Sequence, residues 1–263
     1  MPSICLTERE ERDAGTHARP EIRRASTFVA KAASVEALLR SGVNDVGAGE
    51  IEISRRDDGC PVVGMYGSLV KRAAALGISD VHLSLSNDSD IAIGVAIAVA
   101  KGSEHLGGRD PIVGIGVDLV EIERGRDLLE DPLLPVLDHM FTLQELAEAF
   151  QDADKVHVSQ RLVSIFAVKE AVFKALAIVV SDRRELHLLG SDSKEPGIRE
   201  IEVLNLTSGH PTVRLMDQTR ASAIECNVTG IDVDVLHQGR LIVALAVSRS
   251  NKLAHVQLDP VRT

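Results

Sequence analysis

Gly114-Ile115-Gly116-Val117-Asp118-Leu119-Val120-Glu121-Ile122 and Phe166-Ala167-Val168-Lys169-Glu170-Ala171-Val172-Phe173-Lys174-Ala175-Leu176 carry most of the information in this chain. The first reads as an apolar strand that ends in an acidic residue. The second reads as a helix bearing Lys-Glu and, one turn on, a second Lys. Alone, Asp118 is an ordinary strand-end residue, and Glu170 with Lys174 at i, i+4 is an ordinary helix ion pair. Together they place two hard carboxylates and two point charges on separate elements. That set suits a divalent cation held against phosphate oxygens, and it points to phosphate chemistry on a coenzyme.

An internal repeat surrounds these motifs. Glu50-Ile51-Glu52-Ile53 recurs as Glu200-Ile201-Glu202-Val203, and Gly59-Cys60-Pro61 recurs as Gly209-His210-Pro211. The apolar run from Ile91 recurs from Leu241, so all three matches share one offset. Upstream, Phe28-Val29-Ala30-Lys31-Ala32 matches Phe166-Ala167-Val168-Lys169-Glu170 at a shorter offset, which leaves the second copy with an extra loop across Ser181 to Gly197. Each copy reads as a helix, alternating strands, a Gly-x-Pro turn, a short helix and a final apolar strand. The short helices are expected over Ser68 to Leu76 and near Asp217 to Cys226.

The organisation expected is a flexible N-terminus over 1–25 and a truncated first copy over 26–100. A Gly-rich linker over 101–111, a complete second copy over 112–250 and a tail over 251–263 follow. Thr142-Leu143-Gln144-Glu145 fits a helix-capping box with Phe141 as its staple, a structural feature. The fold class expected is α+β: a pseudo-dimer of two subdomains, each a small, mostly antiparallel sheet packed with a long helix.

Composition narrows the function. The 263 residues are 44% hydrophobic and 26% charged, with a formal net charge of -10, which disfavours nucleic acid and anionic membrane as partners. Aromatics are 2% with no Trp, so base-stacking platforms are not expected. Cys5, Cys60 and Cys226 lack metal-ligand spacing, and a reduced cytoplasmic protein is the simplest reading. The N-terminus has no apolar signal core, and the run Ile91 to Ala100 is too short for a membrane helix.

The motifs resemble those of the 4'-phosphopantetheinyl transferases, which include holo-acyl-carrier-protein synthase. Family members carry a G-x-D strand, an F-T-x-x-E segment and a K-E-A-x-x-K-A helix. This chain has Gly116-Val117-Asp118, Phe141 to Glu145 and Lys169 to Ala175 in that order. The small members form trimers with sites between subunits. The larger, surfactin-synthetase-activating type fuses two copies around one internal site, and the repeat resembles it over roughly residues 28 to 250.

The resemblance implies that Asp118 and Glu170 bind Mg2+ with the coenzyme A pyrophosphate, and that Lys169 and Lys174 neutralise phosphates. A carrier-protein serine attacks the phosphorus bearing the pantetheine arm, and Glu170 or a water on the metal takes its proton. Gly59, Pro61, Ser86 and Asn87 line the nucleotide pocket from the first copy. Arg124 and Arg126 face the carrier, or are simply solvated. The partner is an apo acyl or peptidyl carrier protein, and the built-in second copy implies a monomer.

Departures from the pattern bear on coenzyme affinity. Asn87 stands where the family has His, Cys60 replaces the Lys of a G-K-P turn, and no Gly-rich turn follows Lys174. Val120 occupies the place of a third acidic ligand in the larger type. Two lost charge contacts weaken phosphate binding by about 3 to 5 kcal/mol unless Arg55, Arg56, Arg23 or Arg24 substitutes. The alternative function is therefore a catalytically weak or inactive relative that acts as an interaction module for a carrier protein or synthase. His237, which aligns with Asn87, and His82 read as structural.

Overall fold

A computed structural model describes residues 4–56, 59–100, 110–123, 135–151, 154–180, 197–206 and 211–251. The first half runs α1 (Glu8–Thr16), α2 (Pro20–Arg40), β1 (Ile51–Arg55), β2 (Pro61–Met65), α3 (Gly67–Ala75), β3 (Ile78–Asp88) and β4 (Ile91–Ala100). The second begins with β5 (Ile112–Glu121), α4 (Pro135–Met140), α5 (Leu143–Ala149) and α6 (Lys155–Val180). It continues with β6 (Ile201–Leu204), β7 (Thr212–Leu215), α7 (Asp217–Glu225), β8 (Val228–Gln238) and β9 (Leu241–Ser250). The expected α+β pseudo-dimer is what the chain forms. The proposed linker, the extra loop up to residue 196, Arg124 with Arg126, and the tail beyond residue 251 lie outside the described residues.

Among the described residues every strand pairing is antiparallel, in hairpins β1–β2, β3–β4 and β6–β7 and a three-stranded sheet ordered β5-β9-β8. Each half has its own apolar core. One gathers Leu38, Ile51, Leu69 and Leu83 beneath α2, and the other gathers Phe141, Val168, Val172, Ile201 and Ile242 around α6. Burial of Leu, Ile, Val and Ala side chains is the main stabilising term in both, at about 25 cal/mol per Å² of apolar surface.

The Gly-x-Gly of the leading motif is explained by how β5 meets α6. A Cβ at Gly114 would overlap the carbonyl oxygen of Ala175, and one at Gly116 that of Ala171. Helix and strand backbones touch directly there. After Lys174 the helix runs unbroken to Val180, as a stretch without Gly allows.

The N-terminus corrects an expectation. Residues 8–16 form a helix tied to the core through Glu10, and α2 begins at Pro20, so residues 4–25 are not the flexible segment expected over 1–25. Thr7 and Glu10 form a capping box on α1, as Thr142 and Glu145 do on α5. Glu10 accepts from the Ile53 backbone N–H at 2.7 Å and from Lys31 Nζ at 2.7 Å, with both side chains fully buried. Glu145 accepts from the Val203 N–H at 2.8 Å and from Lys169 Nζ at 2.8 Å in the same way. The first copy therefore includes α1, and the repeat extends upstream of Phe28. Its missing part is a counterpart of β5, which no described residue supplies.

Candidate active site at the seam between the halves

The halves meet along β3 and β5. One edge of β5 pairs with β9, which leaves alternate N–H groups on the other edge to be satisfied. Side chains of β3 satisfy them. Ser84 Oγ accepts from Val117 N at 3.0 Å, Ser86 Oγ from Leu119 N at 3.1 Å and Asp88 Oδ2 from Glu121 N at 2.8 Å. These donors and acceptors alternate in step because residues i, i+2 and i+4 of a strand share one face. At about 1 kcal/mol net each, the three bonds fix β5 in register against the first half.

Asp118 lies on this seam and is buried. Its Oδ1 accepts from Ser86 Oγ at 2.9 Å and from Lys174 Nζ at 2.8 Å, and Lys174 also donates to the Val117 carbonyl at 3.1 Å. Glu170 is half-buried one turn earlier on α6. Burial pushes its carboxyl above the usual range; the Lys174 ammonium opposes the rise and the Asp118 charge adds to it. Asp118, Glu170 and Lys174 thus act on one another electrostatically.

One anticipated phosphate contact, Lys169, and one anticipated nucleotide-pocket residue, Ser86, are placed otherwise. Lys169 is 0% exposed. Its ammonium is committed to Glu145, lies 5.8 Å from the centre of the Phe141 ring and reaches the Ile198 carbonyl at 3.5 Å. Burial holds its pKa below the ordinary lysine value, with Glu145 opposing. A buried, paired ammonium presents no face to a solvent-borne phosphate, so the phosphate-binding reading of Lys169 gives way to a structural one. Ser86 likewise uses its hydroxyl on Leu119 and Asp118 and not on a nucleotide pocket. The signal for Ser84, Ser86 and Asp88 was available as three small polar residues at strand spacing.

The other first-half candidates stand apart from this cluster. Gly59, at φ 83°, and Pro61 frame the β1–β2 turn. No hydrogen bond or ion pair among the described residues joins them to Asp118, Glu170 or Lys174. Asn87 is exposed on β3. Arg23 and Arg24 are ion-paired with Asp13 and Glu11 of α1, at 2.7 and 2.8 Å. Arg55 donates to the Gly59 carbonyl at 3.1 Å; burial and then nearby Arg23 hold its pKa below the ordinary value. His237 meets the Ser164 hydroxyl at 2.9 Å, and His82 lies 3.6 Å from Asp80. Val120 is part of the second core.

Among the described residues, no group of three or more His, Cys, Asp or Glu is arranged to hold a metal ion. Asp118 and Glu170 are a two-carboxylate set, and that donor chemistry fits Mg2+, which takes one or two carboxylates and fills its other positions with water and substrate oxygens.

Fold and site together define an α+β pseudo-dimer with one acidic, lysine-flanked site built on β5 and α6 of the second half. A sequence model of the 4'-phosphopantetheinyl transferase superfamily matches residues 114–246, and the chain belongs to that family. The holo-[acyl-carrier-protein] synthase of Geobacter metallireducens is 28% identical over 136 residues, 52% of this chain and 96% of the relative. That of Dehalococcoides mccartyi is 31% identical over 134 residues, 51% of this chain and 96% of the relative. A solved Chronobacterium ammoniagenes synthase–coenzyme A complex shares 23% identity and a TM-score of 0.43, covering 53% of this chain and 98% of the other.

Proposed function

We propose that this chain transfers the 4'-phosphopantetheine group of coenzyme A to a serine of an apo acyl or peptidyl carrier protein. The observation that carries the reading is the mutual placement of Asp118, Glu170 and Lys174 on the strand and helix whose motifs define the family. The serine oxygen forms a bond to the phosphorus that bears the pantetheine arm. The phosphorus–oxygen bond to the adenosine bisphosphate breaks, and that group leaves. Glu170 takes the serine proton. Lys174 is oriented by Asp118 and the Val117 carbonyl, and its charge offsets that of the phosphates. Asp118 and Glu170 would hold Mg2+, which supplies charge neutralisation at the pyrophosphate.

We further infer that the first copy reaches the site through Ser86, and that Gly59, Pro61 and Asn87 shape the nucleotide side. The organisation that supports this is a first copy ending near residue 100 and a second spanning 112–250. The test is intact mass spectrometry of a panel of apo carrier proteins incubated with this protein, coenzyme A and Mg2+. A gain of one phosphopantetheine group, absent with Glu170→Ala, is the expected result. A folded sample that binds no coenzyme A at millimolar concentration would refute the reading and leave the interaction-module alternative.

A further inference from the structure

The site carries a cation of its own. Lys174 Nζ lies 2.8 Å from Asp118 Oδ1 and 3.1 Å from the Val117 carbonyl, so β5 supplies both of its acceptors. Ser86 Oγ donates to the same Oδ1 at 2.9 Å. A carboxylate oxygen has two lone pairs, and both of those on Oδ1 are thus engaged. Among the described residues nothing donates to Oδ2. A metal ion therefore meets Asp118 through Oδ2, on a carboxylate whose charge an ammonium already shares.

The packing of strand on helix enforces this pairing. Gly116 lets the β5 backbone touch α6 at Ala171, which brings Asp118 within reach of the helix turn that bears Glu170 and Lys174. Little water separates the two charges, because the Asp118 side chain is only 9% exposed. The Lys174 side chain keeps 29% of its surface, and the third proton of its ammonium has no acceptor among the described residues. A flexible stem with one donor free can follow an incoming anion. The first copy lacks the device. It has Ala32 and Glu36 where the second has Glu170 and Lys174, and Glu36 pairs with Arg40 at 2.6 Å on the surface.

We propose that Lys174 competes with the metal for Asp118 until the coenzyme arrives, so that metal and coenzyme bind cooperatively. With both carboxylates ionised, the ammonium leaves the site a single negative charge with which to hold a divalent cation. Once the metal is bound, the same count gives a single positive charge. The pyrophosphate of the coenzyme neutralises that charge and draws Lys174 away from Asp118. Each ligand then strengthens the other by the same factor. The inference rests on the transferase reading and adds to it the order in which charges are exchanged at the site.

Binding of Mn2+ to the full chain, followed by electron paramagnetic resonance of the free ion, tests it. Mn2+ stands in for Mg2+ because both take octahedral oxygen sites. Lys174→Gln should bind Mn2+ alone about tenfold more tightly than the parent chain, because a unit charge has left the carboxylate. At saturating Mn2+ the same variant should bind coenzyme A about tenfold more weakly, because a charge-assisted contact to phosphate is gone. Lys174→Arg retains the charge and should keep Mn2+ affinity near that of the parent, with circular dichroism unchanged in both variants. Opposite signs for metal and coenzyme are the signature, since a merely structural lysine would weaken both. A Lys174→Gln chain that binds Mn2+ no more tightly than a parent that takes up Mn2+ and coenzyme A overturns this inference alone. A folded parent that binds neither ligand, together or separately, overturns the transferase reading with it.

Discussion

Replacing Lys169 by Met should unfold the protein more readily without removing a coenzyme contact. The ammonium and the Glu145 carboxylate are both fully buried and 2.8 Å apart. Removing one partner of such a pair leaves an uncompensated buried charge, at a loss of about 3–5 kcal/mol. The environments on the two sides differ. Without Lys169, the Glu145 carboxylate keeps the Thr142 and Val203 N–H groups, each at 2.8 Å. Without Glu145, Lys169 keeps a 3.5 Å contact to the Ile198 carbonyl and the Phe141 ring. Glu145→Gln should therefore be the more damaging substitution, tempered by loss of the proton from an ammonium whose pKa burial already lowers.

At about 2–4 °C per kcal/mol for a protein of this size, either variant should melt roughly 10 °C early. In a double-mutant cycle, Lys169→Met with Glu145→Gln should be milder than the sum of the singles by at least about 1 kcal/mol. Lys31→Met and Glu10→Gln probe the same pair in the first half and should repeat both signs. Chemical denaturation supplies the stabilities, and the KM for coenzyme A of folded Lys169→Met should stay near that of the unmodified chain. Additive losses, or a stable Lys169→Met whose coenzyme KM rises tenfold, would refute the reasoning and restore Lys169 as a phosphate ligand.

Three further outcomes are expected. Glu170→Gln should abolish transfer while matching or exceeding the melting temperature of the parent chain. Its folded-state pKa is raised, so the ionised carboxylate weakens the fold above the unfolded value, near 4.3, and the gain should grow with pH there. Glu50 is held down at about 2 by Arg72 and Ser68 and accepts from the Leu69 N–H at the start of α3. Its stabilisation is present above the unfolded carboxylate range and lost as pH falls toward 2. Glu50→Gln should therefore lower stability by about 1 kcal/mol at neutral pH and by progressively less in acid, as read from melting curves. Gly116→Ala should yield little soluble folded protein, because its methyl group meets the Ala171 carbonyl, and a normally melting variant would contradict the close packing of β5 on α6.

Local pattern made the family motifs, the repeat and the α+β pseudo-dimer legible, because strand alternation, helix periodicity and turn residues are written within a few neighbouring positions. The short helices and the capping box at Thr142 were readable for the same reason. The matching box at Thr7 carries the same Thr-x-x-Glu signal, yet sparse identity upstream of Phe28 hid the helix it starts. Tertiary structure alone separated Lys169 from Lys174. The two lie five residues apart, about 140° around a helix, so one enters the core and the other reaches Asp118. It alone also assigned Ser86, since a serine hydroxyl suits a nucleotide pocket or a strand edge equally well. What decided was the unmet N–H of Leu119 on a strand of the other half, a demand that no sequence position states by itself.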